Sequence, residues 1–122
     1  MIRVFLSLPM SGRTDEEILS QIEEMKGYVL KSHIFGDEEI EFVHNLLSPE
    51  DEKLFDLIDN VTVRPLLYLG AAITQMATCN AVMLGHGWNN ARGCIIEHDV
   101  AKKYGIPLYR CYSLESLTRL SQ

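Results

Sequence analysis

The stretch GHGWNNARGCIIEHDVAKKYGI, residues 85–106, is the part of the chain that most clearly indicates its fold. Short apolar runs flank it, and its Gly- and Asn-rich first half predicts a loop that leaves a strand. The second half predicts a helix from about Gly93 to Tyr104, closed by Gly105 before the next strand begins. A strand, a loop and a helix in this order form the repeating unit of parallel α/β sheets.

A second unit of the same kind opens the chain. Residues 3–8 form a short apolar run that ends at Pro9, which is typical of an inner strand buried on both faces. After a turn at residues 11–13, the sequence TDEE at residues 14–17 has the form of a capping box at a helix start. The apolar residues that follow recur at helical spacing, at Ile18, Ile22, Met25 and Val29.

The remaining segments continue the alternation of strands and helices. In order, we predict a loop at residues 32–39, a strand at 40–47, a short helix at 48–60, a helix beginning at Pro65, strands at 81–84 and 106–112, and a tail helix capped by Ser113 that uses Leu114, Leu117 and Leu120. This alternation predicts an α/β fold with a doubly wound, flavodoxin- or Rossmann-like parallel sheet of four to five strands and helices on both faces. The length is suited to one domain, residues 1–122.

Composition and charge argue against several classes of function. The chain has 17 acidic and 11 basic residues, and a surface with a net charge of -6 repels a nucleic-acid polymer. The apolar N-terminal run is short and contains Pro9, so we expect neither a signal peptide nor a membrane partner. Three unclustered cysteines fit a reducing compartment, and we expect a cytoplasmic protein.

We expect no metal and no organic cofactor. Cys94 and His98 are four residues apart on one face of the predicted helix, which could suggest a metal pair or a thiol–imidazole pair. Further ligands at a recognisable spacing do not follow, so ordinary helix residues are the simpler interpretation.

The loops after the first and third strands are expected to face one crevice, because ligands bind at the carboxyl ends of the strands in such sheets. The first loop, residues 7–13 (SLPMSGR), could hold an anion through Ser7, the backbone N–H groups near Gly12 and the Arg13 guanidinium. The same composition is also common in turns that serve geometry alone.

The second loop leads to Glu97, which falls about one turn into the predicted helix. We expect the helix dipole to keep this carboxylate ionised, as a nucleophile or as an anchor for a ribose hydroxyl. Trp88 offers a flat surface for a base or a sugar, and Asn89 offers amide hydrogen bonds. The alternative is that Glu97 is an ordinary first-turn acid, that Trp88 covers the core, and that Asn89 belongs to a turn.

With both loops considered, the chain resembles the nucleoside 2-deoxyribosyltransferase superfamily, and most closely a small, largely uncharacterised branch found in bacteria and phages. The matching motifs are FLSLPMSGR at residues 5–13, YLG at 68–70, and the order W-x-x-x-R-G-x-x-x-E-H at 88–98 with A-K-x-Y-G-I at 101–106. The resemblance covers most of the chain and is weakest over residues 32–64.

The resemblance implies a site for a small nucleoside or nucleotide. In active members a glutamate attacks the anomeric carbon of a 2-deoxyribosyl group and displaces the base, and Glu97 occupies its position. The first loop matches the segment beside the sugar or 5′-phosphate, and the family commonly forms homo-oligomers. The candidate substrate-binding residues are Ser7, Pro9, Met10, Gly12, Arg13, His86, Trp88, Asn89, Arg92 and Gly93.

Two positions depart from the family pattern. The aspartate that helps protonate the leaving base in active members is matched by Ala72, and an aspartate usual at the start of the third strand is matched by Asn80. Loss of a general acid lowers rates by about 10² to 10⁴-fold. Either His86 or His98 supplies the proton, or the protein does not turn over. The two hypotheses are therefore an N-glycosidase or deoxyribosyltransferase, and a non-catalytic nucleotide-binding or sequestering protein.

Overall fold

Strands and helices alternate along the computed structural model, which describes residues 1–44, 53, 56–58 and 60–120. Its elements are β1 (Ile2–Ser7), α1 (Asp15–Ser32), β2 (Ile40–His44), α2 (Arg64–Met76), β3 (Ala81–Leu84), a 3₁₀ turn (Trp88–Asn90), α3 (Arg92–Tyr104), β4 (Leu108–Arg110) and β5 (Thr118–Arg119). None of the helices in these described ranges is long and apolar enough to cross a membrane.

The strands form one sheet in the order β2-β1-β3-β4-β5. Neighbours from β2 to β4 are parallel, and β5 is antiparallel to β4. The chain runs from β1 outward to β2 and then returns across β1 to β3, so the winding direction reverses between β1 and β3. The doubly wound sheet is confirmed, and the carboxyl ends of β1 and β3 form its topological switch point.

Two apolar layers cover the two faces of the sheet, as expected for helices on both faces. The α1-side layer contains Val4, Leu6, Leu8, Ile18, Ile22, Met25, Val29, Ala81, Met83, Tyr109 and Cys111. The α2/α3-side layer contains Phe5, Ala72, Met76, Val82, Leu84, Ala101 and Leu108. Since successive residues of β1 point to opposite faces, Ser7 lies on the same face as Phe5, the face that α2 and α3 cover.

The local signals at helix ends are confirmed. The Thr14 side chain accepts the Glu17 N–H at 3.1 Å, and Oε1 of Glu17 accepts the Thr14 N–H at 3.1 Å. These hydrogen bonds to Thr14 lower the pKa of Glu17. Helix α3 ends at Gly105, which adopts the left-handed conformation with φ 75°.

The C-terminal part differs from the prediction. Strand β4 is shorter than the predicted 106–112: it begins only at Leu108, because Pro107 has no N–H to donate to the ladder, and it ends at Arg110. The prediction of a tail helix is wrong. The Ser113 hydroxyl accepts the Ser116 N–H at 3.1 Å, as an N-cap would, but the turn ends there and no helix follows in the described residues. The chain then pairs as β5 with the open edge of β4, whose backbone groups it satisfies.

The predictions for the middle of the chain are tested only in part. The predicted strand at 40–47 is confirmed as far as His44. Residues 45–47 and most of the predicted helix at 48–60 lie outside the described residues. Helix α2 begins at Arg64, with Pro65 in its first turn as predicted.

Candidate functional site

A buried carboxyl group lies at the switch point of the sheet. Glu97 is 3% exposed and Ser7, the last residue of β1, is 0% exposed; among the described residues these two form the whole set of buried polar side chains. The Ser7 hydroxyl donates a hydrogen bond to Oε1 of Glu97 at 2.7 Å. Helix α3 therefore brings its one buried acid against the carboxyl end of β1, as the candidate site requires.

The charge state of Glu97 differs from the sequence-based expectation. Burial raises its pKa to about 7, and the hydrogen bond from Ser7 acts in the opposite direction. The expectation that the helix dipole keeps Glu97 ionised is wrong, because this residue is the sixth of α3, beyond the first turn where the dipole acts. At neutral pH both the acid and the carboxylate are populated.

Cys94 is the neighbour of this pair on α3. It is 4% exposed, and burial raises the pKa of its thiol to about 11, with smaller opposing and reinforcing effects from Ser7 and Glu97. The thiol is therefore neutral at physiological pH. The location of Cys94 beside an acid gives no support to a metal pair or a thiol–imidazole pair with His98. The His98 imidazole contacts Asp99 instead, at 2.9 Å.

The first loop is braced by its own side chains. The Arg13 guanidinium donates to the Pro9 carbonyl at 2.8 Å and to Oε1 of Gln21 at 2.5 Å. The Gln21 amide donates in turn to the His86 carbonyl at 3.2 Å, which ties α1 to the second loop. Arg13 thus serves as an internal brace in this structure, and its predicted contact with a phosphate or sugar stays a prediction.

Other predicted residues of the first loop have local roles as well. Gly12 adopts the left-handed conformation with φ 75°, which permits the tight turn before α1. Met10 packs against the α1-side layer. Pro9 lies beside the second loop, where a Cβ added at Gly87 would approach its Cγ to 3.1 Å.

Gly85 marks the closest approach between the two loops and α1. A Cβ added there would lie 2.8 Å from Nε2 of Gln21 and 2.9 Å from Sδ of Met25. Only a residue without a side chain fits this junction without displacing its neighbours. Neither Gly85 nor Gln21 was among the predicted site residues, since the first resembles an ordinary loop glycine and the second lies among polar helix residues.

Trp88 is held by aromatic contacts. Its ring stacks on that of His98 with centroids 4.7 Å apart and an interplanar angle of 23°. Its indole N–H donates to the Tyr112 hydroxyl at 2.8 Å. His86 is exposed and meets Tyr112 edge-on, with ring centroids 5.4 Å apart. His98 therefore covers one face of the indole. Tyr112 was not among the predicted site residues, because it follows the fourth strand without any motif.

The start of α3 differs from the start of α1. Its N-cap is Ala91, which has no side chain able to accept a hydrogen bond from the first turn. Arg92 and Asn89 are exposed there, and Gly93 is partly buried. A helix start of this composition leaves first-turn N–H groups without a side-chain partner.

A cleft of about 840 Å³ opens on the α1 side of the sheet. It is lined by Pro9, Arg13, Glu16, Glu17, Ser20, Gln21, Glu24, Met25, Tyr28, His86, Cys111 and Tyr112. The structure thus divides the predicted site residues: Pro9, Arg13 and His86 line this cleft, whereas Ser7 and Glu97 lie together on the other face. Three glutamates along the α1 rim make the cleft unfavourable for a phosphate.

The two departures from the family pattern have different structural settings. Ala72 is fully buried in the α2/α3-side layer, so an apolar contact lies where the resemblance implies a general acid. Asn80 precedes β3 at the opposite edge of the sheet, where its Oδ1 accepts the Arg3 N–H at 2.8 Å. The change at Asn80 therefore does not affect the Glu97 environment. Within the described ranges, His, Cys, Asp and Glu side chains form no group of three that could hold a metal ion.

Residues 57–110 match the model of a family described as a domain of unknown function, DUF4406. The matched range includes α2, β3 and α3, and with them Trp88 and Glu97. Neither a curated protein nor a solved structure matches the chain. Because the matched family has no assigned activity, the likeness to nucleoside 2-deoxyribosyltransferases stays a hypothesis.

Proposed function

We propose that the protein breaks or transfers the N-glycosidic bond of a small nucleoside or nucleotide, with Glu97 as the reacting carboxyl group. The observation that supports this most is a nearly fully buried glutamate at the switch point whose described hydrogen-bond partner is the Ser7 hydroxyl. A buried acid without a cation beside it is unfavourable for folding, and such groups are concentrated at functional sites.

The chemistry follows from the two protonation states of Glu97. The carboxylate attacks the anomeric carbon; a C–O bond forms while the C–N bond breaks, and its electron pair stays on the base nitrogen, which takes up a proton. Water, or a second base, then attacks the anomeric carbon, releases the carboxylate and loses a proton. A pKa of about 7 leaves a large fraction of Glu97 ionised for the first step at neutral pH.

The proton for the leaving base has to come from a group other than residue 72. Ala72 has no proton to donate and is buried among apolar side chains. His98 follows Glu97 on α3 and is partly exposed, which makes it the candidate donor in the described part of the chain. His86 is further away in sequence and lines the α1-side cleft instead.

The same buried carboxyl group supports a second candidate function, the binding of a nucleotide without turnover. The specific observation in its favour is Ala72, because the missing general acid lowers the expected rate by about 10² to 10⁴-fold. In this case Glu97 would accept a hydrogen bond from a sugar hydroxyl. The resemblance also leads us to propose a homo-oligomer in the cytoplasm, and sedimentation of the purified protein would test the assembly.

Chromatography of free bases distinguishes the two functions. Wild type, Glu97→Gln and the exposed control Glu115→Gln would each be incubated with nucleosides, 2-deoxynucleosides and their 5′-monophosphates. We expect base release by wild type and the control, and a loss of at least about 10³-fold in Glu97→Gln, because an amide is a poor nucleophile.

Fluorescence of Trp88, the single tryptophan, gives binding independently of turnover. A nucleotide that changes this fluorescence without any base release would support the second candidate. Base release that is unchanged in Glu97→Gln, or neither release nor binding with any compound, would contradict the proposal.

A further inference from the structure

We propose that Ser7 is a positioning residue for Glu97 and does not bind the substrate, an inference that rests on the proposed function. Its hydroxyl holds Oε1 of Glu97 at 2.7 Å, which leaves Oε2 as the oxygen that reacts. The sequence pattern had placed Ser7 among the substrate-binding residues, because it opens the first loop. The structure gives this hydroxyl an intramolecular partner.

The hydrogen-bonding capacity of serine supports this assignment. A hydroxyl group has one proton to donate, and that of Ser7 is already directed to the Glu97 carboxyl. The side chain is also completely buried, so a ligand could reach it only by displacing the side chains that cover it. Ser7 can therefore act on a substrate only through the carboxyl group that it holds.

The backbone around Ser7 makes it a rigid support. Ser7 is aligned with Leu84 in the parallel pairing of β1 with β3. Its carbonyl accepts the Gly85 N–H at 2.8 Å, so the strand is fixed up to its last residue. A side chain on a paired strand positions a reacting group more accurately than one on a loop.

The electrostatic surroundings make the effect of Ser7 measurable. Besides burial, the Ser7 hydroxyl from β1 is the described group that shifts the pKa of Glu97. The Cys94 thiol is a neighbour on the same helix, and its own pKa is raised in part by Glu97. The thiol is neutral over the working range because its pKa is about 11. His98 and Asp99, the next charged or titratable residues on α3, are paired with each other. Removal of the Ser7 hydroxyl should therefore act on Glu97 without a competing change.

Titration by ¹³C NMR tests this inference without any substrate. The protein would carry ¹³C at glutamate carboxyl carbons, and Glu97→Gln would identify the Glu97 signal. In Ser7→Ala we expect the titration midpoint of Glu97 to rise by about one pH unit, since a hydrogen bond that favours the charged form is lost. In Ser7→Thr, which keeps the hydroxyl, the midpoint should stay at the wild-type value.

An unchanged midpoint in Ser7→Ala would overturn the inference, as would an equal rise in Ser7→Thr. Circular dichroism would verify that both variants fold. If the added methyl group of threonine prevents folding at this buried position, the midpoint in Ser7→Ala decides by itself.

Steady-state kinetics separates positioning from substrate binding. We expect Ser7→Ala to lower kcat by about 10- to 100-fold with little change in KM. The reason is that the variant misplaces the carboxyl group, whereas the substrate is bound as in wild type. A raised KM with wild-type kcat would overturn the inference. If wild type releases no base, the proposed function is overturned instead. The NMR midpoint still tests the effect of Ser7 on Glu97 in that case, so the two failures can be told apart.

Discussion

The loops that follow β1 and β3 reach the same edge of the sheet, but they are stabilised in different ways. In the first loop, the Thr14 capping box and the Arg13 brace satisfy the helix start and the turn from within. The second loop leads into α3 through Ala91, without a side-chain cap, and places exposed Arg92 beside the helix start. Under the proposed function, we infer that the first loop is mainly a scaffold and that the second leads to the reactive group, Glu97 of α3.

The two loops are nevertheless joined at one point. Gln21 contacts Arg13 on one side and the His86 carbonyl on the other, and Gly85 allows the close approach. Changes at this junction should affect both loops, whereas changes at either helix start should affect one.

The pH dependence of stability should reveal Glu97, the buried acid of α3, the helix that follows the second loop. The pKa of Glu97 is raised from 4.5 to about 7 on folding, so its protonated form is favoured in the folded state. The resulting contribution to the free energy of unfolding is fully present below about pH 4.5 and is lost as the pH rises through 7. A shift of this size corresponds to about 3 kcal/mol, an order-of-magnitude figure.

Urea unfolding of wild type and Glu97→Gln between pH 4 and about 8.5 measures this effect. Wild type should lose stability relative to the variant over the window from about 4.5 to 7, because glutamine does not ionise. The exposed control Glu115→Gln should follow wild type throughout. A stability difference between wild type and Glu97→Gln that stays constant with pH would show that Glu97 titrates normally.

Gly85→Ala should disrupt the junction of the two loops. The added methyl group would displace Gln21 and Met25, which lie less than 3.0 Å from its position, and would break the Gln21 contact with His86. We expect a loss of about 1 to 3 kcal/mol in the free energy of unfolding.

Gly27→Ala is the matched control for this change. Gly27 lies inside α1 with no atom within 4 Å of an added Cβ, so we expect a gain of about 0.5 to 1 kcal/mol there. Denaturant unfolding measures both variants. Equal effects of the two substitutions would mean that the close approach at Gly85 is unimportant.

Changing the N-caps of α1 and α3 tests the different roles of the two loops. Thr14→Ala removes the cap of α1 and should lower stability by about 1 kcal/mol without altering ligand binding. Ala91→Ser adds a cap to α3, where residue 91 already has extended backbone angles, and should raise stability by about 0.5 to 1 kcal/mol.

If the N–H groups of α3 contact the ligand, Ala91→Ser should also weaken binding, since the serine oxygen competes for them. Trp88 fluorescence with a nucleotide from the panel measures this. Weaker binding in Thr14→Ala, with normal binding in Ala91→Ser, would reverse the roles assigned to the loops.

Much of the fold could be predicted because its signals are local. The capping box depends on two residues three apart, and the end of α3 depends on one glycine. The third strand was predicted with its observed bounds from a run of four apolar residues. The tail was mispredicted as a helix because pairing with the edge of β4, ten residues away in sequence, outweighs the helical spacing of three leucines.

The candidate site was predictable only as a set of residue types. Its motif, W-x-x-x-R-G-x-x-x-E-H, pointed to Glu97, and the two loops were expected to meet. Nothing in the sequence separated Arg13 from Ser7, although the structure places one in an internal brace and the other against the Glu97 carboxyl group. Gln21 and Tyr112 had no signal at all, because each acts through a partner more than 20 residues away.

Periodicity, caps and turns act over a few residues, and these local signals were sufficient to predict the order of the described strands and helices as far as β4, the doubly wound sheet, and Glu97 as the acid of the candidate site. The tertiary structure alone decided the state of that acid. Ser7 and Glu97 are 90 residues apart, and their contact, their burial and the raised pKa exist only when β1 and α3 pack together. Removal of water from a carboxyl group depends on everything that surrounds it, and therefore on the whole fold.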